Sequence, residues 1–334
     1  MEIRNHSTDM VLGPALKEAL KMVRKERNFA PATYVDEKIN LLNAYYRQAG
    51  LKSAVVAVSG GIDSAVVLGI VDMASRQEDS PIQNVIAITM PDRQNEGVTG
   101  QDEAASLAEE VCEEFGVRFF EVNMSAITDA IIKEVELYSG IGLPKEDKED
   151  WCRGQVTSYA RTPTYYYVTS VLAAQGKPGL VIGTTNLSEG GYLGYFGKAS
   201  DGMVDIQLIS DLFKSEVYEV GRLLGVPQAV LDRAPTGDMF DATTDEVVFG
   251  APYDFVELFT HMKWDANACA MVDQCMEELA SEDEHRQYDE FVENLERMHR
   301  YNAHKYLGRS PAVHLDILQT GVTNGWNNPA WRPE

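Results

Sequence analysis

The stretch SAVVAVSGGIDSAVVLGIVDMA, residues 53–74, decides how this chain folds. Its first six residues form a short apolar run rich in valine, the pattern of a buried strand. Ser59, Gly60 and Gly61 interrupt it, and from Ile62 the apolar residues resume at helical spacing. Strand, tight glycine turn and helix are therefore expected in that order. The two glycines allow positive φ and close approach of a ligand to the backbone, and Asp63 and Ser64 open a helix whose free N–H groups carry partial positive charge. Such a nest suits a pyrophosphate. The loop has neither the lysine of a GK[ST] ending nor the third glycine of a dinucleotide fingerprint. Taken alone, it also reads as a plain glycine turn in which Asp63 and Ser64 cap the helix.

The same alternation continues outward. VIAITM (85–90) reads as a strand, DEAASLAEEVCEEFG (102–116) as a helix and VRFFEV (117–122) as a strand. The tyrosine-rich TYYYVTSVLAAQG (164–176) reads as a helix feeding the strand LVIGT (180–184). A βαβ series implies a parallel sheet. The expected fold class is α/β: a doubly wound parallel sheet with ligand loops at the carboxyl ends of its strands and extra C-terminal helices. Upstream, Val35, Ile39, Leu42 and Tyr46 mark a lead-in helix that ends at Gly50. KEDKED (145–150) reads as a solvated loop or, alternatively, a mobile lid, and Pro163 is expected to interrupt the helical pattern around it. From 266 to 306 the chain is acidic and helical in pattern, without a strand signal. We divide the chain into a helical lead-in (1–50), a main domain (51–262) and a helical extension of that same domain (263–334).

The 334 residues include 29 Lys plus Arg against 52 Asp plus Glu, a formal charge of −23, with 44% apolar and 24% charged residues. The apolar fraction is that of an ordinary globular chain. The charge disfavours nucleic acid as a partner, so an anionic small ligand must be met by a few local cations and backbone N–H groups. Cys112, Cys152, Cys269 and Cys275 are too scattered for a disulfide framework or a zinc knuckle. No signal-peptide pattern and no apolar run of roughly 20 residues is present, so a cytoplasmic location without a membrane partner is expected.

SGGIDS resembles the SGGxDS signature of the PP-loop ATP pyrophosphatases, which cleave ATP between its α and β phosphates. VIGTTNLSEGGYLGYFGKASDGMVDIQLISDLFKSEVYEVGRLLGVP (181–227) is similar to the central stretch of NAD synthetases, and APTGDMFDATTDEVVFGAPYD (234–254) and HKY (304–306) resemble later blocks of that family. Together the likeness covers about residues 30–315. It implies the PP-loop, adenine nucleotide alpha-hydrolase-like fold. It also implies a ligase of NAD biosynthesis that activates the nicotinate carboxylate of deamido-NAD with ATP, releases pyrophosphate and passes the acyl group to ammonia. An ammonia-dependent enzyme is expected because only about 50 residues precede the first strand, whereas the amidase domain of the glutamine-using branch takes roughly 250.

By the same resemblance, ATP is bound along Ala57, Val58, Ser59, Gly60, Gly61, Ile62, Asp63 and Ser64 and by Thr184, Lys214 and Thr236. Asp63 and Glu189 are the implied Mg²⁺ ligands; Arg161, Lys198, Asp205, His304 and Lys305 are implied to hold deamido-NAD. Asp63, Lys198 and Lys214 carry the chemistry, and a homodimer is implied. The bland alternatives are that Glu189 is a solvated loop acid and Lys214 an exposed surface lysine. The run GQVTSYARTPTYYY (154–167) departs from the family's pattern, leaving Arg161 as its one cation, and PDRQNEGVTGQDE (91–103) is longer than the family loop. The alternatives are another PP-loop amide-forming ligase or tRNA-thiolating enzyme, or a catalytically silent nucleotide sensor.

Overall fold

β1 (Ser53–Ala57), the strand expected at 53–58, runs through the middle of the sheet. The structure is a computed structural model that describes residues 10–93, 100–143, 149–237, 244–305 and 313–318. In it β1 pairs in parallel with β2 (Asn84–Thr89) and β4 (Gly179–Gly183), so that Val55 lies beside both Ile86 and Val181. β3 (Arg118–Glu121) extends the sheet beyond β2, and the two-residue strands β5 (Ile206–Gln207) and β6 (Val313–His314) extend it beyond β4. The order is β3-β2-β1-β4-β5-β6, with every pair parallel. In such a sheet the connections diverge between β1 and β4, and the crevice at their carboxyl ends is where ligands bind. The Ser59–Gly61 turn leaves β1 there, and the loop starting at Thr184 leaves β4.

The helices, in chain order, are α1 (Pro14–Arg27), α2 (Pro31–Ala49), α3 (Ile62–Ser75), α4 (Gln101–Phe115), α5 (Ser125–Ser139) and α6 (Glu149–Ala174). They continue with α7 (Lys214–Leu224), α8 (Gln228–Asp232), α9 (Asp245–Phe249), α10 (Tyr253–Trp264), α11 (Ala266–Leu279) and α12 (Glu282–Asn302). Strand alternation sorts them into layers, because successive side chains point to opposite faces. Ala54 and Val56 face one core, built with α2, α3, α4 and α7; Val55 faces the other, beneath α6, with Ile86, Ile88, Val181 and Tyr165. α3 is apolar nearly all round, and it is buried from Ile62 through Asp72 with the sole exception of Asp63. Each such Val, Leu or Ile stabilises the fold by about 1.5–3 kcal/mol.

A separate apolar cluster lies away from the sheet, mostly among helices. Leu16, Leu20 and Val23 of α1 pack with Phe255, Phe259, Val272, Phe291 and Leu295 of α10, α11 and α12. The expected lead-in helix, ending at Gly50, is α2; α1 precedes it and has different partners. α1 starts with Pro14 at its first turn and receives a distant cap, Glu284 Oε1 accepting from Ala15 N at 3.0 Å. Within the expected helical extension, β6 adds a strand to the sheet, which the residue pattern did not show. Pro163 does not interrupt α6: the helix runs through it, with Pro163 on the exposed side and Thr164 Oγ1 donating to Ala160 O at 3.1 Å. Of KEDKED, Glu149 and Asp150 are already helical and 145–148 lie outside the described residues. All four cysteines are free thiols, and among the described residues no helix is long and apolar enough to cross a membrane.

Candidate active site

Gly60 adopts φ +79°, and a Cβ there would lie 2.1 Å from the carbonyl oxygen of Ala104 on α4. Only glycine fits both the left-handed backbone and that approach. Gly61 is the N-cap of α3, and no side chain caps this helix. Ser64 instead folds back on the turn, accepting from Ser59 N at 3.1 Å and donating to Gly61 O at 3.0 Å. Asp63 reaches across the crevice: Oδ1 accepts from Asn186 Nδ2 at 2.7 Å and Oδ2 from Lys214 Nζ at 2.5 Å. The reading of Asp63 and Ser64 as mere helix caps does not describe this geometry.

Beyond β4 the chain forms a π-helical turn, Ser188–Leu193, a rare geometry concentrated at functional sites. Asn186 anchors its start, its Oδ1 accepting from Glu189 N at 3.1 Å while its amide nitrogen holds Asp63. Glu189 Oε1 accepts from Lys214 Nζ at 2.9 Å and from the Tyr253 hydroxyl at 2.8 Å. That hydroxyl also lies 2.9 Å from Asp245 Oδ2, and Tyr195 donates to Asp245 Oδ1 at 3.0 Å. Lys214 is the first residue of α7; its backbone N–H is held by Ser188 Oγ at 3.1 Å, and its side chain is 3% exposed. Glu189 is therefore no solvated loop acid and Lys214 no surface lysine.

Burial opposes the Lys214 charge, but Asp63 and Glu189 outweigh it and hold its pKa well above the usual lysine range. Burial also pushes the Glu189 carboxyl up to about 7, against the pull of Lys214 and with the added repulsion of Asp63 and Asp245. Three carboxylates thus surround one ammonium, a local excess of negative charge that a bound polyphosphate would worsen.

Thr184 is half-buried at the carboxyl end of β4, Val58 N donates to Ile88 O at 2.8 Å just past Ala57, and Thr236 bridges Thr244 in an antiparallel pair. A second group gathers where the chain leaves the π turn. Lys198 is exposed with Nζ 3.5 Å from His304 O, and Lys305 Nζ donates to Gly194 O at 2.8 Å and Phe196 O at 2.5 Å. Burial lowers the Lys305 pKa to about 8. Two expected ligand residues are engaged elsewhere. Arg161 Nε donates to Met90 O at 2.9 Å, and Asp205 accepts from Val181 N at 2.7 Å and the Tyr166 hydroxyl at 3.2 Å, joining β4 to α6. The sequence reading assigned no role to Asn186, Asp245 or Tyr253. The Asn three residues before Glu189 is a local turn signal, but nothing local announces the other two.

A glycine-turn nest and a carboxylate–lysine cluster facing each other at the switch point of a parallel sheet define a nucleotide-binding α/β protein of the PP-loop class. The sequence pattern of the NAD synthase family matches residues 34–307. The NH(3)-dependent NAD(+) synthetase of Alkaliphilus oremlandii is 31% identical over 230 residues, covering 69% of this chain and 85% of that protein. The enzyme of the same name from Thermoplasma volcanium is 32% identical over 206 residues, covering 62% and 74%. Among solved structures, NMN synthetase from Francisella tularensis shares the fold at TM-score 0.60 and 23% identity, covering 83% of this chain and 96% of that one. A glutamine-dependent NAD(+) synthetase from Cytophaga hutchinsonii does so at TM-score 0.67 and 17% identity, with 89% of this chain but 53% of that one covered. The chain belongs to the NAD synthase family. It is a carbon–nitrogen ligase of NAD biosynthesis.

Proposed function

We propose that the chain amidates deamido-NAD with ammonia and that the Asp63–Lys214–Glu189 cluster is where ATP is cleaved to AMP and pyrophosphate. The observation that carries this assignment is the buried Lys214 bridging two carboxylates directly opposite the uncapped start of α3. The nicotinate carboxylate attacks the α-phosphorus, the bond to the β-phosphate breaks, and ammonia then displaces AMP from the acyl adenylate. As pyrophosphate leaves, the N–H groups at the Ser59–Gly61 turn and the start of α3 receive its oxygens, and Lys214 stabilises the charge that develops. Thr184 and Thr236 line the ATP side.

The donor set fits Mg²⁺. Asp63 and Glu189 would supply two hard oxygens, which here accept from Lys214, and Mg²⁺ uses one or two carboxylates alongside substrate phosphates. Their excess negative charge is the kind a divalent ion offsets. Bound there, it would neutralise phosphate charge. Lys198 and His304, side by side near the mouth of the π turn, are the groups we assign to deamido-NAD, with Lys305 anchoring that loop. Arg161 and Asp205 enter this reading as residues that shape the pocket walls through Met90 and Tyr166. We further propose a homodimer whose contact is the exposed apolar stripe Ile127, Ile131, Val135 and Tyr138 of α5, flanked by Trp151, Tyr167 and Val171 of α6.

Purified protein incubated with ATP, Mg²⁺, ammonium and deamido-NAD should yield NAD, AMP and pyrophosphate in equal amounts. Parallel reactions with glutamine for ammonium, and with the nicotinate mononucleotide for deamido-NAD, separate the nitrogen source and the substrate length. ADP and orthophosphate as products, or binding without turnover, would reject the reading.

A further inference from the structure

Lys214 is presented by the stretch 211–216, which Tyr34 and Lys38 of α2 hold through the Asp211 carboxylate and which α1, outside the family-matched residues 34–307, holds through an arginine. Glu216, in the first turn of α7, accepts from Phe213 N at 2.9 Å. Its carboxylate is also gripped by the fork of Arg27, Nε on Oε1 and Nη2 on Oε2, the latter at 2.7 Å. The same Nη2 donates to Asp211 O at 2.9 Å, and the guanidinium lies 4.7 Å from the centre of the Phe213 ring. One guanidinium thus touches residues on both sides of Lys214. A second arginine of α1 acts one step removed: Arg24 pairs with Glu257 at 2.7 Å, and Glu257 accepts from Ser215 Oγ at 2.7 Å.

These contacts are not what docks α1. Its apolar face does that, through Leu16, Leu20 and Val23. The Arg27 and Glu216 side chains are 13% and 5% exposed, so the pair is desolvated and its geometry tightly specified. A lysine could supply the charge but not the planar fork.

We propose that Arg27 is a positioning residue for Lys214: by clamping Asp211, Phe213 and Glu216 it sets the ammonium between Asp63 and Glu189, making α1 part of the ATP site. The proposal rests on the reading of Lys214 as a phosphate-facing group. Its test compares Arg27→Ala and Arg27→Lys with the wild type and with Lys21→Ala, a control on the exposed face of α1 whose Lys21–Glu18 pair is solvent-facing. Steady-state kinetics and calorimetric MgATP binding are measured well below each variant's melting temperature. Arg27→Ala should raise both the KM for ATP and the MgATP Kd roughly tenfold and lower kcat by a similar factor, because small misplacements of a charge-stabilising group are amplified at the transition state. Arg27→Lys should fall between Ala and wild type, with the KM for deamido-NAD within about twofold of wild type throughout. If Arg27→Ala does not fold, Arg27→Lys decides alone. A lowered melting temperature with wild-type ATP parameters in the folded variants overturns the proposal. A wild-type protein that forms no AMP from ATP and deamido-NAD overturns the parent reading instead.

Discussion

Lys214 concentrates the site into one charge. Replacing it with Met keeps the length of the side chain and leaves Asp63, Glu189 and Asp245 facing the crevice without a cation. Pyrophosphate release by Lys214→Met should fall roughly 10²- to 10³-fold, as on loss of other transition-state charge stabilisers. Lys214→Arg should not restore it, since a fork does not fit where a compact ammonium sits between two carboxylates. Both are read as AMP formed per enzyme, with circular dichroism reporting the fold. At this scale the sequence disclosed what local context can disclose. Gly60 and Asp63 stand out because a double glycine between strand and helix has few other uses, and Lys214 because a lysine at a helix start opposes the helix dipole. Asp245 and Tyr253 do not stand out, because their meaning lies in a contact: Tyr253 meets Glu189 across 64 residues of chain.

Among the elements, α6 departs most from its pattern. Pro163 removes one intrahelical hydrogen bond, yet the helix continues because it is packed along its length beneath the sheet, through Ala160, Tyr165 and Leu172. Since Pro163 itself is exposed, Pro163→Ala should stabilise the protein by about 1–3 kcal/mol. A higher denaturant midpoint with an unchanged slope would show it; no shift would mean that a bend at this point is needed by the packing. The strands β1, β2, β3 and β4 and helix α4 lie within a residue or so of their expected spans; β1, β2 and β4 are near-continuous apolar runs, as buried parallel strands are, and α4 carries a helical period. The π turn and the two-residue β5 and β6 were not legible, being too short or too irregular to leave a period in the residues. α1 does leave one, Leu16, Leu20 and Val23 recurring at helical spacing, but its apolar face takes partners far along the chain.

For the molecule as a whole, the proposed self-association has a direct test. Ile131→Asp combined with Tyr138→Asp places two charges on the exposed stripe of α5, away from the Lys214 cluster. Sedimentation should show the wild type as a dimer and the variant as a monomer; a monomeric wild type at micromolar concentration removes the assembly from the reading. The net charge of −23 belongs to this scale as well. A chain of this charge repels polyanions in general, so an anionic ligand depends on local groups such as Lys214 and the N–H groups at the start of α3. The βαβ alternation as far as β4, the glycine turn and the family itself were written in the sequence, since they depend on apolar period, turn chemistry and residues close together in the chain. Only the tertiary structure decided that Asp63, Glu189, Asp245 and Tyr253 converge on Lys214, and that α1 reaches that cluster from behind. Those contacts are made by burial bringing distant segments together, and burial of charge beside charge leaves no local trace in the order of the residues.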